Sequence, residues 1–356
     1  MKRIISLTLL ISISAVAAER KAKNVVLFIA DAAGMPVVSL AGIHAGKPQG
    51  LFIQRMPNIG LMDTSSASSW VTDSAAGMTA IVTGFKTHNS VLSQSDAAVR
   101  GKTDGAPLKT LLEYAEERGL MTGVLSNDAV SGATPAACYA HSNDRSKAAE
   151  IFAQVLKPGF GDGVDVLGGA GRKKLLTPEM ETGLRAKNYG VFNSAEQVPK
   201  DARRAVILYD SGDFDLAAAV SRTIDILSQS RKGFFLMVES DCHTDNLKRG
   251  LDRLVAFDKI IEATAARLGK DTLVIFAADH SFDTRSRGGR KDEPLALVTP
   301  TPPKAPIRVD NGHTGEEVLV SAQGPGASRV RGFFKNTDLF RFMMAAYGWK
   351  ETKPAK

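Results

Sequence analysis

The chain predicts an α/β fold with a mainly parallel central sheet flanked by helices on both faces. Three observations carry this expectation. Short apolar runs recur without polar alternation, which marks strands buried on both faces. Helical patterns separate them, which favours parallel pairing through crossovers. Several of the runs end in carboxylates, at the strand ends where such sheets place their ligands.

Asn24–Asp31 (NVVLFIAD) is the first strand. An amphipathic helix over Leu108–Arg118 leads into a strand over Met121–Asp128. Lys157–Asp213 is poorer in apolar runs and is expected to hold loops and short helices. Phe234–Asp241 (FFLMVESD) is a buried strand, and a helix over about Leu251–Leu268 leads into Asp271–His280 (DTLVIFAADH). Arg285–Asn311, rich in Gly, Pro and charge, is a long surface excursion. Its basic residues Arg285, Arg287, Arg290 and Lys291 are expected to form a solvated loop that edges the pocket. Glu317–Gly324 is a later strand, and Asn336–Gly348 closes the chain as a helix with Asn336 or Thr337 as its N-cap.

Lys2 and Arg3, then the apolar Ile4–Ile13 and the small-residue step Ala15-Val16-Ala17, have the layout of a secretory signal. Residues 1–18 are therefore expected to be removed, leaving 19–356 as one catalytic domain in the periplasm or outside the cell. No later segment is apolar for long enough to span a membrane. The 356 residues are 44% hydrophobic and 23% charged, which excludes a disordered or collagen-like chain. A net charge of +7 favours an anionic partner such as a phosphate ester, nucleic acid or anionic lipid. Aromatic residues are not interleaved with the basic ones, so specific nucleic-acid recognition is not expected. The only cysteines, Cys138 and Cys242, carry no framework signal and are expected to be inert thiols.

His243, His280 and His313 each lie in an acid-rich or Gly-flanked stretch near a predicted strand. Imidazole with carboxylate is the usual ligand mixture for zinc. Asp279-His280 directly follows an apolar run, so both can turn toward one ion. His44, His88 and His141 have no such company and are expected to be structural. In VTDSAAGMT (Val71–Thr79), Ser74 follows Asp73 at a predicted helix start. Such a serine is usually only a cap, yet the position also suits anion binding. Beside a divalent metal it suits a nucleophile.

These segments, in order, carry a resemblance. NVVLFIADAAGM, VTDSAAGMT, SGATPAACYAHSNDR, FFLMVES, LVIFAADH, NGHTGEEV and GPGASRVRGFFKNTDLF are collinear, and together they resemble the alkaline phosphatase family. The resemblance implies a compact enzyme that hydrolyses phosphate monoesters through a phosphoserine and releases inorganic phosphate. Ser74 matches the serine that is phosphorylated. Asp73 matches the residue that supports Arg145, and Arg145 the arginine that grips two phosphate oxygens, a task suited to a planar fork. Asp31, Asp279 and His280 match the ligands of one zinc, and His313 a ligand of a second. Asp31, Thr134 and Glu239 match a magnesium site. Small phosphorylated molecules are the implied substrates, and monomer and homodimer both stay open. A phosphodiesterase of the same superfamily is the nearest alternative, and Arg145 argues against it. A secreted phosphate-binding protein that has lost turnover is another, and Ser74 with Arg145 argues against that.

Three positions depart from the family pattern. Gly132 stands where an acid or histidine is usual near magnesium, which implies a weak site unless Asp128, four residues earlier, compensates. Met78 replaces a Gly or Ala. The loop SDCHTDN after Glu239 is short, and offers Asp241, His243 and Asp245 to the second zinc. An extended strand end puts Asp241 and His243 on one face and leaves Asp245 to orient the imidazole. A helical turn would instead pair Asp241 with Asp245.

Overall fold

The computed structural model describes residues 20–350, so the expected signal segment lies outside the described residues. The strands are β1 Asn24–Asp31, β2 Asn58–Asp63, β3 Met121–Ala129, β4 Val166–Ala170, β5 Gly190–Phe192, β6 Ala205–Tyr209, β7 Phe234–Asp241, β8 Thr272–Ala277, β9 Ser281–Ser286, β10 Ile307–Thr314, β11 Val318–Gln323 and β12 Gly332–Lys335. Ten of them form one sheet in the order β12-β2-β11-β8-β1-β7-β3-β4-β6-β5. All neighbours pair in parallel except β11, which runs against both β2 and β8. β9 and β10 form a separate antiparallel ribbon.

The expected fold class is the observed one. β1 lies between β7 and β8, and every residue of β1 and β8 is buried, as unalternated apolar strands require. The helices Ser74–Thr83, Ala133–Tyr139 and Asn336–Tyr347 pack as one group. Met35–His44, Phe52–Arg55 and Leu216–Leu227 gather round the long helix Leu247–Leu268 as another. Phe28, Phe257 and Phe276 are fully buried where that long helix meets the central strands.

Four expectations need correction. Lys157–Asp213 is not only loops and short helices, because β4, β5 and β6 extend the sheet there. These strands have three to five residues, and β4 (VLGGA) contains two glycines, so their apolar runs are short. The closing helix takes Lys335 as its N-cap, not Asn336 or Thr337. The Asn336 amide instead donates to the Thr64 and Ser65 carbonyls at 3.2 and 3.3 Å. The long helix starts at Leu247, earlier than Leu251, because the Asn246 side chain accepts from the Arg249 N–H at 3.1 Å. Arg285–Asn311 leaves and rejoins the fold through the β9–β10 ribbon, which sequence alternation did not reveal.

Candidate active site

The central strands deliver their acids to one place. Register sets Asp31 at the end of β1 beside Asp241 of β7, and Glu239 beside Ser126 of β3. Beyond Asp31 the chain turns sharply at Ala32, which holds a left-handed φ of 66°. Such backbone is costly for a residue with a Cβ and persists where its surroundings enforce it. β8 ends at Ala277, and the next turn carries Asp279 and His280, both fully buried. Asp279 Oδ1 accepts from the His280 and Ala32 N–H groups at 3.0 and 3.4 Å, tying the turns after β1 and β8 together.

Ser74 opens the helix Ser74–Thr83, and Asp73, not Ser74, is its N-cap, accepting from the Ala76 N–H at 3.1 Å. The serine hydroxyl is therefore free of capping duty. Its Oγ lies 3.4 Å from Asp31 Oδ2 and 3.2 Å from His280 Nε2. Gly77 lets this helix approach the β8 turn, since a Cβ there would come within 2.7 Å of the Asp279 carbonyl oxygen. Met78, the one departure from the family pattern on this helix, is buried in the core. Asp73 Oδ2 also accepts from the Ser90 N–H at 2.9 Å and from Arg145 Nη1 at 3.0 Å. Burial raises the Asp73 pKa, but the backbone N–H groups and Arg145 outweigh it and leave it lowered.

The histidines converge as expected. His280 and His313 stack with ring centroids 3.7 Å apart, and His243 lies 5.8 and 5.7 Å from them. His313 is held through Nδ1 by the Thr72 carbonyl at 3.1 Å, next to the nucleophile turn. Two sets of ligand atoms each gather within 4.8 Å: His243, His280 and His313, and Asp31, Asp279 and His280. Burial lowers the pKa of His280 and of His313, which favours the neutral ring that binds metals. Burial also acts against charge on His243, but Asp241 and Asp31 outweigh it and push its pKa to about 9. A positive ring thus stands among the acids where a cation would displace its proton.

The short loop resolves differently from expectation. Asp241 does not join the converging set. Its carboxylate is bound by His243 Nδ1 at 2.8 Å and by Arg253 Nη1 at 2.6 Å, so it orients the imidazole. Asp245 is exposed and faces the Asn246 N–H at 2.8 Å and Arg249 at 3.5 Å, so it does not orient His243. Thr134 is 1% exposed, and Glu239, 2% exposed, accepts a short hydrogen bond from Ser126 Oγ. Burial raises the Asp31 and Glu239 pKa values well above the ordinary range, and neighbouring carboxylates add to it.

Sequence reading missed Ser126, Asn127 and Arg253. Asn127 Oδ1 accepts from the Asp241 N–H at 2.7 Å and so fixes the end of β7. Ser126 and Asn127 break the apolar run of β3 at its carboxyl end, the signal that marked Asp31. Arg253 sits on a long helix among other charges, and nothing in its surroundings sets it apart. Cys138 and Cys242 are free and buried, and burial pushes both thiols up, out of reach of ionisation.

Asp31 Oδ1, Asp279 Oδ2 and Thr134 Oγ1 are buried without a hydrogen-bond partner. Unsatisfied acceptors of this kind, next to neutral imidazoles, fit divalent cations.

The family model for alkaline phosphatase matches residues 22–203 and 190–305. The chain belongs to the alkaline phosphatase family. It is 26% identical to the mouse tissue-nonspecific isozyme, covering 94% of this chain and 76% of that protein. It is 28% identical to alkaline phosphatase 4 of Bacillus subtilis, covering 75% of each. The Thermus thermophilus alkaline phosphatase structure superposes with a TM-score of 0.79 at 22% identity, covering 94% of this chain and 93% of that one. The enzyme from the Antarctic bacterium TAB5 does so at 0.77 and 23%, covering 94% and 100%. This alkaline phosphatase family member is thus a phosphatase, in a family whose general chemistry is phosphomonoester hydrolysis with divalent metals. Among its described residues no helix is long and apolar enough to cross a membrane.

Proposed function

We propose that the chain hydrolyses phosphate monoesters through a phosphoserine at Ser74. The observation that carries this reading is the placement of Ser74 Oγ, released from capping by Asp73 and lying 3.2 Å from His280 and 3.4 Å from Asp31. Arg145, tied to Asp73 through Nη1, is the phosphate-binding group beside it. Ser74 Oγ forms a bond to phosphorus while the ester P–O bond breaks and the alcohol leaves with a proton. Water then attacks the same phosphorus, restoring the hydroxyl and releasing inorganic phosphate. Asp73 holds the helix start, the Ser90 loop and Arg145 in one register, so the nucleophile and the phosphate grip stay aligned through both steps.

His243, His280 and His313, with Asp31 and Asp279, are the residues that would hold two zinc ions. Asp31, Thr134 and Glu239 offer only oxygen and suit one magnesium, a weak site unless another carboxylate makes good what Gly132 does not supply. When bound, such ions favour an ionised nucleophile and stabilise the leaving oxygen. The basic leader at Lys2 and Arg3 supports export of residues 19–356 as a single catalytic domain to the periplasm or medium. The substrates are small phosphorylated molecules.

The test is hydrolysis of an aryl phosphate monoester and the matching diester by the metal-analysed protein, with acid-quench trapping of labelled phosphate. Monoester turnover with label on Ser74 is expected. Preference for the diester would favour the phosphodiesterase alternative, and tight phosphate binding without turnover a binding protein.

A further inference from the structure

The family resemblance leaves position 132 without a side chain, and the structure shows what stands there. Gly132 follows a tight turn in which its N–H donates to the Ala129 carbonyl at 2.7 Å. A Cβ on Gly132 would lie 3.0 Å from Asp128 Oδ2. The Asp128 carboxylate therefore occupies the space that a side chain at 132 would enter. We propose that Asp128 supplies the carboxylate that position 132 lacks, facing the all-oxygen cation site of Asp31, Thr134 and Glu239. This rests on the phosphatase reading above and deepens it.

Two further observations support the placement. Ser126 Oγ accepts from the Asp128 N–H at 2.8 Å and donates to Glu239 Oε2, so one hydroxyl links the Asp128 backbone to the Glu239 carboxylate. Independently, Thr134, two residues beyond Gly132, buries its Oγ1 without a partner, a polar atom that calls for a ligand. Asp128 itself is exposed. An exposed carboxylate at the rim suits a magnesium ion that keeps several of its waters, since it accepts hydrogen bonds from them.

The experiment uses the full-length, zinc-loaded protein with Mn²⁺ as a spectroscopic stand-in for Mg²⁺. Mn²⁺ binding is followed by electron paramagnetic resonance at low salt and at about 0.5 M salt, where fields between exposed charges are screened within a few ångströms. Wild type is expected to bind one Mn²⁺ beyond its zinc. Asp128→Asn is expected to keep its zinc content and lose about ten- to a hundredfold in Mn²⁺ affinity, the range for an outer partner of a metal site. The loss should persist at high salt. Unchanged affinity, a loss that disappears in salt, or absence of a third ion in wild type would overturn the proposal. Asp128 is exposed, so the variant should fold, and an unchanged melting temperature in the zinc-only state checks this. The two readings separate cleanly: an Asp128-dependent Mn²⁺ site in a protein without monoesterase activity would sink only the proposed function. Activity without that site would sink only the role of Asp128.

Discussion

Among the described residues two clusters of buried acids can be compared, and only one of the two has the makings of a cation site. At the carboxyl end of the central strands, Asp31, Glu239 and Asp279 crowd together, and Asp31 Oδ1 and Asp279 Oδ2 are left without hydrogen bonds. Beneath β3, Glu113, Glu116 and Asp165 are similarly enclosed. There Glu113 accepts from the Thr110 N–H and faces His141 Nε2, both at 2.8 Å. Glu116 accepts from Thr122 Oγ1 at 3.3 Å and the Gly163 N–H at 2.9 Å, and Asp165 from the Thr122 N–H at 2.8 Å. Burial raises carboxyl pKa values in both places: Glu116 to about 8 and Asp165 to about 6 in one, Asp31 and Glu239 in the other. A perturbed pKa therefore does not distinguish them. Unsatisfied lone pairs, together with neutral imidazoles, do.

The largest expected effect falls on Ser74. Ser74→Ala removes a hydroxyl that caps nothing, so circular dichroism and melting temperature should stay close to wild type. Turnover of an aryl phosphate should fall at least about a thousandfold, as for other nucleophile deletions. Near-normal turnover with metals bound would mean that water attacks phosphorus directly.

Metal removal separates the two clusters next. Chelation should lower the melting temperature of wild type. Zinc returned at about a hundred times its dissociation constant should restore about 2.7 kcal/mol. Asp279→Asn should lose most of that zinc-dependent rise. Glu113→Gln disturbs an equally enclosed acid and lowers the baseline, yet should keep the whole rise. Equal loss in both variants would show that unsatisfied oxygens do not mark the site.

Much of this contrast was legible in the sequence, because β1, β3, β7 and β8 are long apolar runs that announce their own ends. Asp31, Asp279 and His280 stand at or just after such ends, and Ser74 precedes a run of small helix-forming residues. The structure brings them together as the resemblance implied. What escaped depends on contacts distant along the chain. Asp241 was expected to face the metal, and it turns instead to His243 and Arg253, a partner twelve residues on. β4, β5 and β6 are too short for periodicity to separate them from loops. His141 was expected to be structural, but its partner Glu113 is 28 residues away and was not legible.

Arg145 should show a smaller effect than the nucleophile or the metal ligands. Arg145→Lys keeps the charge but loses the planar fork. Inhibition by inorganic phosphate should weaken by roughly tenfold, the equivalent of one charge-assisted hydrogen bond. The Arg145 side chain of the ion pair with Asp73 is 33% exposed, so little change in stability is expected. Unchanged phosphate inhibition would show that the fork points away from the substrate.

The smallest effect on turnover belongs to the satisfied cluster, where Glu116 should act on stability alone. Burial raises its pKa from 4.5 to about 8, opposed by the Gly163 N–H and assisted by Asp162 and Glu113. Between those values the folded protein keeps a proton that the unfolded chain has released. Its contribution is therefore fully present below pH 4.5, shrinks as pH rises, and is gone above about pH 8. The slope approaches about 1.4 kcal/mol per pH unit where the difference is one full proton. Glu116→Gln mimics the protonated form, accepts from Gly163 as before and does not titrate. The variant should match wild type in urea unfolding near pH 5 and exceed it near pH 9. A weaker slope of the same sign should remain below about pH 6, from Asp165. Parallel stability curves for variant and wild type between pH 5 and 9 would mean that Glu116 is ionised throughout, and that its two hydrogen bonds outweigh its burial.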